Sequence, residues 1–438
     1  MYRNVLAALC FLACLSLLLL ALFLGPDDRA GYLLLLKQRS LYGPTCLPYR
    51  APLNCEPVFK NSNSDQLIIG YSDARLVNLT EKCDDFRDSF CFPSKPLTEQ
   101  EAQFRLAYVM IVHQSSEQIV RLLQSIYWPQ NVYCLTYDLK AAHEIKALVH
   151  NIANCFPENV VIPEKHETIY WGRVEVLKAA VNCLERLSRL SHDWRYVQIL
   201  SGNDLVLRTN REFVEIFQIF NGSNDAELKT GQAFRIAGYG GNFYLNTTIT
   251  KPPPPYHIDV FKGSFAASMN RQFVDFAVTR KAAKEILEWL SDTFVPDEAY
   301  WTTLIHNPSL GAPGSFPGKK CLNAYGKGKL KPWISRYQVW PYTAKVCHGT
   351  WSHGSCVFGI KDLPVLEERK ELVAHKFYLS YEPAAYHCWL ELLGNRTYIS
   401  PPTLDRNFYA SLPAVRFQRL RDQKSFLCDS NSSAVSLN

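Results

Sequence analysis

The chain has 438 residues, 47% of them hydrophobic, and a formal net charge of +6 spread along its length. No Lys/Arg block of the kind that tracks nucleic acid is present, so a nucleic-acid partner is not expected, and the apolar content is enough for a large core. No C-x-x-C pair occurs among the 14 cysteines, which argues against a zinc ribbon or a thioredoxin site.

Residues 5–24 run without a charge or a proline (VLAALCFLACLSLLLLALFL) and stop at Gly25-Pro26-Asp27-Asp28. A bilayer needs roughly 20 apolar residues for one helical span. Arg3 precedes the run and acids follow it, so a single-pass signal anchor is expected, with a cytosolic tail at 1–4 and the rest of the chain lumenal. The alternative is a cleaved signal peptide. Either places the bulk of the chain in the secretory pathway. The twelve cysteines outside the span fit disulfides there. N-x-S/T sequons at Asn78, Asn221, Asn246, Asn395 and Asn431 fit a glycosylated surface.

Residues 25–100 are rich in Gly, Pro, Asn, Ser and Asp and read as a lumenal stem, partly stapled by Cys46, Cys55, Cys83 and Cys91. Regular patterning begins in the domain assigned to 101–438. The run RLAYVMIVH (105–113) is a buried strand, SEQIVRLLQSIY a helix, and NVYCLTYD (131–138) a second strand. A helix over AAHEIKALVHNIA, a strand at 159–163, a helix over 172–190 and a strand over 194–204 follow. Strands alternating with helices predict an α/β fold with a doubly wound, mostly parallel sheet. Ligands bind outside the carboxyl ends of such strands, at His113, Asp138 and the Ser201–Asp204 turn. FKGSFAASMNRQFVDFAV reads as a strand running into a helix. Residues 282–294 read as a further helix, leading to FVPDEAYW (294–301). In that octet Pro296 suits a first helical position and the acids Asp297 and Glu298 a first turn, with Tyr300 and Trp301 as core.

The motifs AYVMIVH with IYWPQNVYCLTYD, SGNDLVLRTN, PDEAYW with APGS, CVFGIKDLPVL and AHKF stand in order from Ala107 to Phe377. In this the chain resembles the core 2 and I-branching β-1,6-N-acetylglucosaminyltransferases, a family that also includes the peptide O-xylosyltransferases. The resemblance implies a type II Golgi membrane glycosyltransferase with a nucleotide-diphospho-sugar (GT-A-like) fold, inverting and needing no divalent metal or other cofactor. The absence of any D-x-D motif agrees. It implies a UDP-sugar donor, by default UDP-N-acetylglucosamine, and transfer to the 6-hydroxyl of GalNAc in an O-glycan core on glycoproteins. UDP-glucose or UDP-xylose as donor, or a non-catalytic glycan-binding protein, are the alternatives.

By the same resemblance Glu298 is the base that takes the acceptor proton, and Asp297 serves the helix dipole. The leaving diphosphate is met by Lys376 and by His353, which stands where the family has Arg; Arg369 or Lys345 are neighbours that could supply the missing charge. Val112, Asp138 and Trp171 match positions that hold uracil and ribose, and Asp204 holds its turn. Glu227, Arg235, Trp340 and Tyr342 match the acceptor-binding set.

Overall fold

The computed structural model describes residues 49–60, 68, 70–230, 239–240, 244–245, 251–326, 333–343, 345–420 and 423–428. The expected tail and anchor at 1–24, and Arg235, Asn246 and Asn431, lie outside the described residues. Among the described residues no helix is long and apolar enough to cross a membrane.

Helices α1 (Asp73–Thr80) and α2 (Cys83–Ser89) precede the sheet. Then come β1 (Arg105–Val112), α3 (Ser116–Ile126), β2 (Val132–Tyr137), α4 (His143–Cys155), β3 (Val160–Val161), α5 (Val174–Ser188) and β4 (Trp194–Ser201). The chain continues through β5 (Asp204–Val206), α6 (Asn210–Phe220), β6 (Asp225–Ala226), β7 (Lys229–Thr230), β8 (Phe261–Lys262), β9 (Ala267–Asn270), α7 (Arg271–Thr279), α8 (Lys281–Leu290) and α9 (Tyr300–His306). The last elements used below are β10 (Tyr337–Gln338), β11 (Thr350–Ser352), β12 (Ser355–Val357), β13 (Val373–His375) and α10 (Pro383–Tyr398).

The main sheet has the order β3-β2-β1-β4-β9-β6. Its first four strands are parallel, with Tyr108 of β1 opposite Tyr133 of β2 and Gln198 of β4. The last two depart from a parallel sheet, since β9 is antiparallel to β4 and β6 to β9. The reason is the route. After β4 the chain does not return through a single crossover helix; it leaves through β5 into a second sheet, of order β10-β13-β5, and reaches β9 from the other end.

Side chains alternate across the sheet. Tyr108, Met110 and Val112 of β1 enter one apolar cluster with residues of α1–α4, α6 and α10, while Ala107 and Val109 enter a second with residues of α5 and α7–α9. Residues expected in a stem are part of the first cluster: Leu76, Phe86 and Phe90 are buried in it. Disulfides Cys55–Cys388 and Cys83–Cys155 staple this region to α10 and α4, and Cys134–Cys183 ties β2 to α5. Cross-links closing loops this long each stabilise the fold by about 2–4 kcal/mol.

Candidate active site

The octet that carries Glu298 is held from two sides. Val295 sits in the left-handed region at φ 54°, and its N–H donates to the Gly172 carbonyl at 2.9 Å. The Glu298 carbonyl accepts the Gly263 N–H at 2.5 Å. Pro296–Glu298 form a 3-10 turn, and α9 begins only at Tyr300. Pro296 therefore does not open the α-helix as expected from sequence. The backbone turns sharply at Val295, which leaves room for only one tight turn before the helix axis is set. Tyr300 and Trp301 are buried in the second cluster.

The Glu298 carboxylate is not alone. Its Oε2 lies 3.6 Å from Lys262 Nζ, which in turn lies 3.7 Å from Glu227 Oε2. Lys229 Nζ reaches the other Glu227 oxygen at 2.6 Å. Strands β7 and β8 pair antiparallel with Lys262 opposite Lys229, so both lysines come to one carboxylate. Gly263 must lack a side chain here, because a Cβ would stand 2.4 Å from the Glu227 carbonyl oxygen. Burial favours the protonated Glu227 carboxyl, but Lys262 and Lys229, with Arg336 behind them, outweigh it and hold the group below the usual carboxylate range.

Arg336 joins this pocket to the segment that carries Lys376. Its Nη2 donates to Ser264 Oγ at 2.9 Å and to Gln338 Oε1 at 3.3 Å, and its Nη1 lies 3.9 Å from Asp204 Oδ1. Asp204 is fully buried. It accepts the Ser201 N–H at 2.6 Å and pairs with His375 Nδ1 at 2.7 Å, across the register of β5 and β13. Burial pushes the His375 imidazole down to about 4, with Arg336 adding to the effect and Asp204 opposing it. Burial would raise the Asp204 carboxyl, yet His375, Arg336 and the Ser201 N–H keep it lowered. The pair is thus a carboxylate accepting from a neutral imidazole. Asp204 holds the Ser201–Asp204 turn, as expected, and anchors His375 beside Lys376 as well. Gln118 on α3 completes the junction, donating to the Gly202 and Phe377 carbonyls and accepting the Leu379 N–H.

Lys376 is buried, with its N–H on the Cys356 carbonyl and its ammonium 5.4 Å from the centre of the Tyr378 ring. Next to it β11 and β12 form a hairpin, cross-linked at its base by Cys347–Cys356. Its two turn residues, His353 and Gly354, both have positive φ, 47° and 70°, as a two-residue hairpin of matching twist requires. His353 Nδ1 lies 3.1 Å from Ser352 Oγ, which lies 3.2 Å from the Tyr378 hydroxyl. His353 and Lys376 are therefore linked through Ser352 and Tyr378. Arg369 makes a two-toothed pair with Glu371 at 2.8 and 3.0 Å and covers the Tyr337 ring. Lys345 lies over the same ring.

Of the expected acceptor aromatics, Trp340 stacks on Tyr342 at 6.0 Å and 14°, with Tyr342 77% exposed. Gly354 of the hairpin faces the Trp340 ring, so the aromatic pair and the His353 turn are neighbours.

At the carboxyl end of β1, the Val112 carbonyl accepts the Asp138 N–H at 3.3 Å, and His113 is exposed just beyond. The Asp138 carboxylate accepts the Lys140 and Ile169 N–H groups and pairs with Lys140 Nζ at 2.7 Å. Burial favours its protonated form, but Lys140 and these N–H groups prevail and lower it. It thereby fixes the loop to Trp171. That ring is 71% exposed and meets Phe294 edge-on at 5.3 Å, so the loop abuts the octet that carries Glu298.

Lys262, Lys229, Arg336 and Gln118 were not singled out from the sequence. Lys262 in VFKGSFAAS and Arg336 in ISRYQVW are lone charges in apolar surroundings, and such a charge needs a buried partner; that is the signal that could have found them. Asn78, Asn221 and Asn395 are all exposed, as glycosylation would require.

The profile described as Core-2/I-Branching enzyme matches residues 106–366. The N-acetyllactosaminide beta-1,6-N-acetylglucosaminyl-transferase of Mus musculus is 32% identical over 332 residues, which cover 74% of this chain and 80% of the relative. The protein of the same description from Homo sapiens is 34% identical over 69% of this chain and 75% of its own length. The beta-1,3-galactosyl-O-glycosyl-glycoprotein beta-1,6-N-acetylglucosaminyltransferase 4 of Danio rerio is 30% identical over 82% and 86%. With a match over most of the patterned chain and relatives this similar, the chain belongs to the core-2/I-branching enzyme family and is a glycosyltransferase.

Proposed function

We propose that the protein moves N-acetylglucosamine from UDP-N-acetylglucosamine to the 6-hydroxyl of GalNAc in an O-glycan core, with inversion and without a divalent metal. Glu298 takes the proton of the acceptor hydroxyl as its oxygen bonds to the anomeric carbon. The bond from that carbon to the phosphate oxygen breaks, and the electron pair leaves with UDP. Lys376 and His353 meet the charge that develops on the diphosphate, the work a metal held by acids does in most enzymes of this fold. Val112, Asp138 and the Trp171 loop serve the nucleotide. Glu227, Arg235, Trp340 and Tyr342 serve the acceptor, by carboxylate hydrogen bonds and an aromatic face. Residues 5–24 anchor the chain in the Golgi membrane as a single-pass type II protein.

The observation that carries this reading is the pocket in which Glu298 and Glu227 face the same ammonium of Lys262. This supports a reading in which the base works beside an acceptor-binding carboxylate. His353 at the hairpin favours a second reading, in which the same chemistry uses UDP-glucose or UDP-xylose. The test is to incubate the full chain, made in a secretory host, with galactosyl-β-1,3-GalNAc and each common UDP-sugar in EDTA. Transfer to the 6-hydroxyl that falls by about 10²- to 10⁴-fold in Glu298→Gln, with UDP binding intact, supports the base assignment and names the donor. UDP binding with no transfer from any donor supports a non-catalytic glycan-binding protein or a different acceptor.

A further inference from the structure

Two carboxylates facing one small pocket do not ionise independently: each raises the pKa of the other unless a cation stands between them. Glu298 and Glu227 are in that position. Lys262 stands between them, 3.6 Å from one and 3.7 Å from the other, with only 11% of its side chain exposed. The charged groups around it are Glu298 on the 3-10 turn, Glu227 between β6 and β7, Lys229 on β7, and Arg336 just before β10. Lys229 lies on the far oxygen of Glu227, so Lys262 is the described lysine whose ammonium bridges the two acids.

We infer that Lys262 is a positioning residue that holds the Glu298 carboxylate aimed at the acceptor by sharing its charge between Glu298 and Glu227. The inference rests on the reading of Glu298 as base. Lys262 also ties the two ends of the acceptor hydroxyl's path: Glu227 accepts from the bound sugar, Glu298 from the hydroxyl that reacts. Gly263, the residue after it, binds the Glu298 carbonyl, so a single dipeptide at the end of β8 sets both the backbone and the side chain of the base.

The test uses the full chain and the pH dependence of kcat at saturating donor and acceptor. In Lys262→Met the acid limb moves up by about one pH unit, so turnover falls about tenfold below the limb and much less above it, while the acceptor KM rises. Lys262→Arg, which keeps the charge, stays near the parent. Glu227→Gln moves the limb the other way, because Lys262 then serves Glu298 alone; this arm stands even where Lys262→Met fails to fold. A limb that stays put in both Lys262→Met and Glu227→Gln overturns the inference. The base reading fails separately, and recognisably, if Glu298→Gln retains turnover with the parent's acid limb.

Discussion

Replacing Asp204 with alanine removes one buried carboxylate that three groups depend on. The Ser201 N–H at 2.6 Å and His375 Nδ1 at 2.7 Å lose their acceptor, and the Arg336 guanidinium at 3.9 Å loses a counter-charge. A buried donor left unsatisfied costs about 1–3 kcal/mol, and breaking a buried charged pair by deleting one partner costs about 3–5 kcal/mol. These overlap, so the expected loss for Asp204→Ala is about 3–5 kcal/mol, a large part of the roughly 5–15 kcal/mol that holds a protein folded. Asp204→Asn keeps the size and one acceptor oxygen and loses the charge, so its cost is smaller, about 1.5–3 kcal/mol. Urea unfolding followed by tryptophan fluorescence measures both. Trp389, whose Nε1 donates to the Val206 carbonyl of β5, reports on the affected strand. Because β13 pairs with β5 immediately before Lys376, UDP affinity measured by calorimetry should fall in the same order. An Asp204→Ala protein within about 0.5 kcal/mol of the parent, the range of an inconsequential surface change, would refute the view that this carboxylate holds the site together.

Two further outcomes follow from the same geometry. Burial lowers three histidines in the folded state, His306 to about 3 and His375 and His387 to about 4, while the unfolded chain protonates near about 6.5. Their contribution to stability is therefore full above about pH 6.5 and is lost as pH falls from there toward 4, which urea midpoints at about pH 7.5 and 5 will show and His387→Gln will diminish. His353→Arg places a permanent cation on the hairpin tip beside Lys376 and should tighten UDP binding several-fold at about pH 7.5; titration calorimetry checks it, and unchanged affinity would remove His353 from the diphosphate site.

The parallel half of the sheet was legible because β1, β2 and β4 are largely buried on both faces and so read as mostly apolar runs between amphipathic helices. In the antiparallel half β9 was legible as a strand running into a helix, but its pairing and the short β6 were not, since the partners are set by a chain excursion of some sixty residues, which local pattern does not encode. The octet that carries Glu298 was found by motif, and Pro296 does hold a first helical position, but in a 3-10 turn ahead of α9 rather than in the α-helix itself. Pro296 and two acids suit a helix N-terminus equally well in α or 3-10 form, and the choice is made by the Val295–Gly172 and Glu298–Gly263 contacts across the fold. The His353 hairpin had a local signal: a residue followed by glycine between short β-forming stretches closed by Cys347 and Cys356.

What sequence reading missed has a common physical character. Lys262, Arg336 and Gln118 touch the site through side chains whose partners lie far away along the chain, so no spacing rule points to them. Arg336 adds a side-chain link between the pocket of Glu298 and Glu227, through Ser264 just after β8, and the segment of Lys376, through Asp204 and its partner His375. A transfer reaction needs base, acceptor and leaving-group charge held in one geometry, and small misplacements cost orders of magnitude in rate. The guanidinium of Arg336 spans that gap with a fixed planar fork, one arm on Ser264 and the other toward Asp204, which a flexible point charge such as lysine could not reproduce. The pocket of Glu298 and Glu227 and the segment of Lys376 lie on different elements, and Arg336 is one of the side chains that link them.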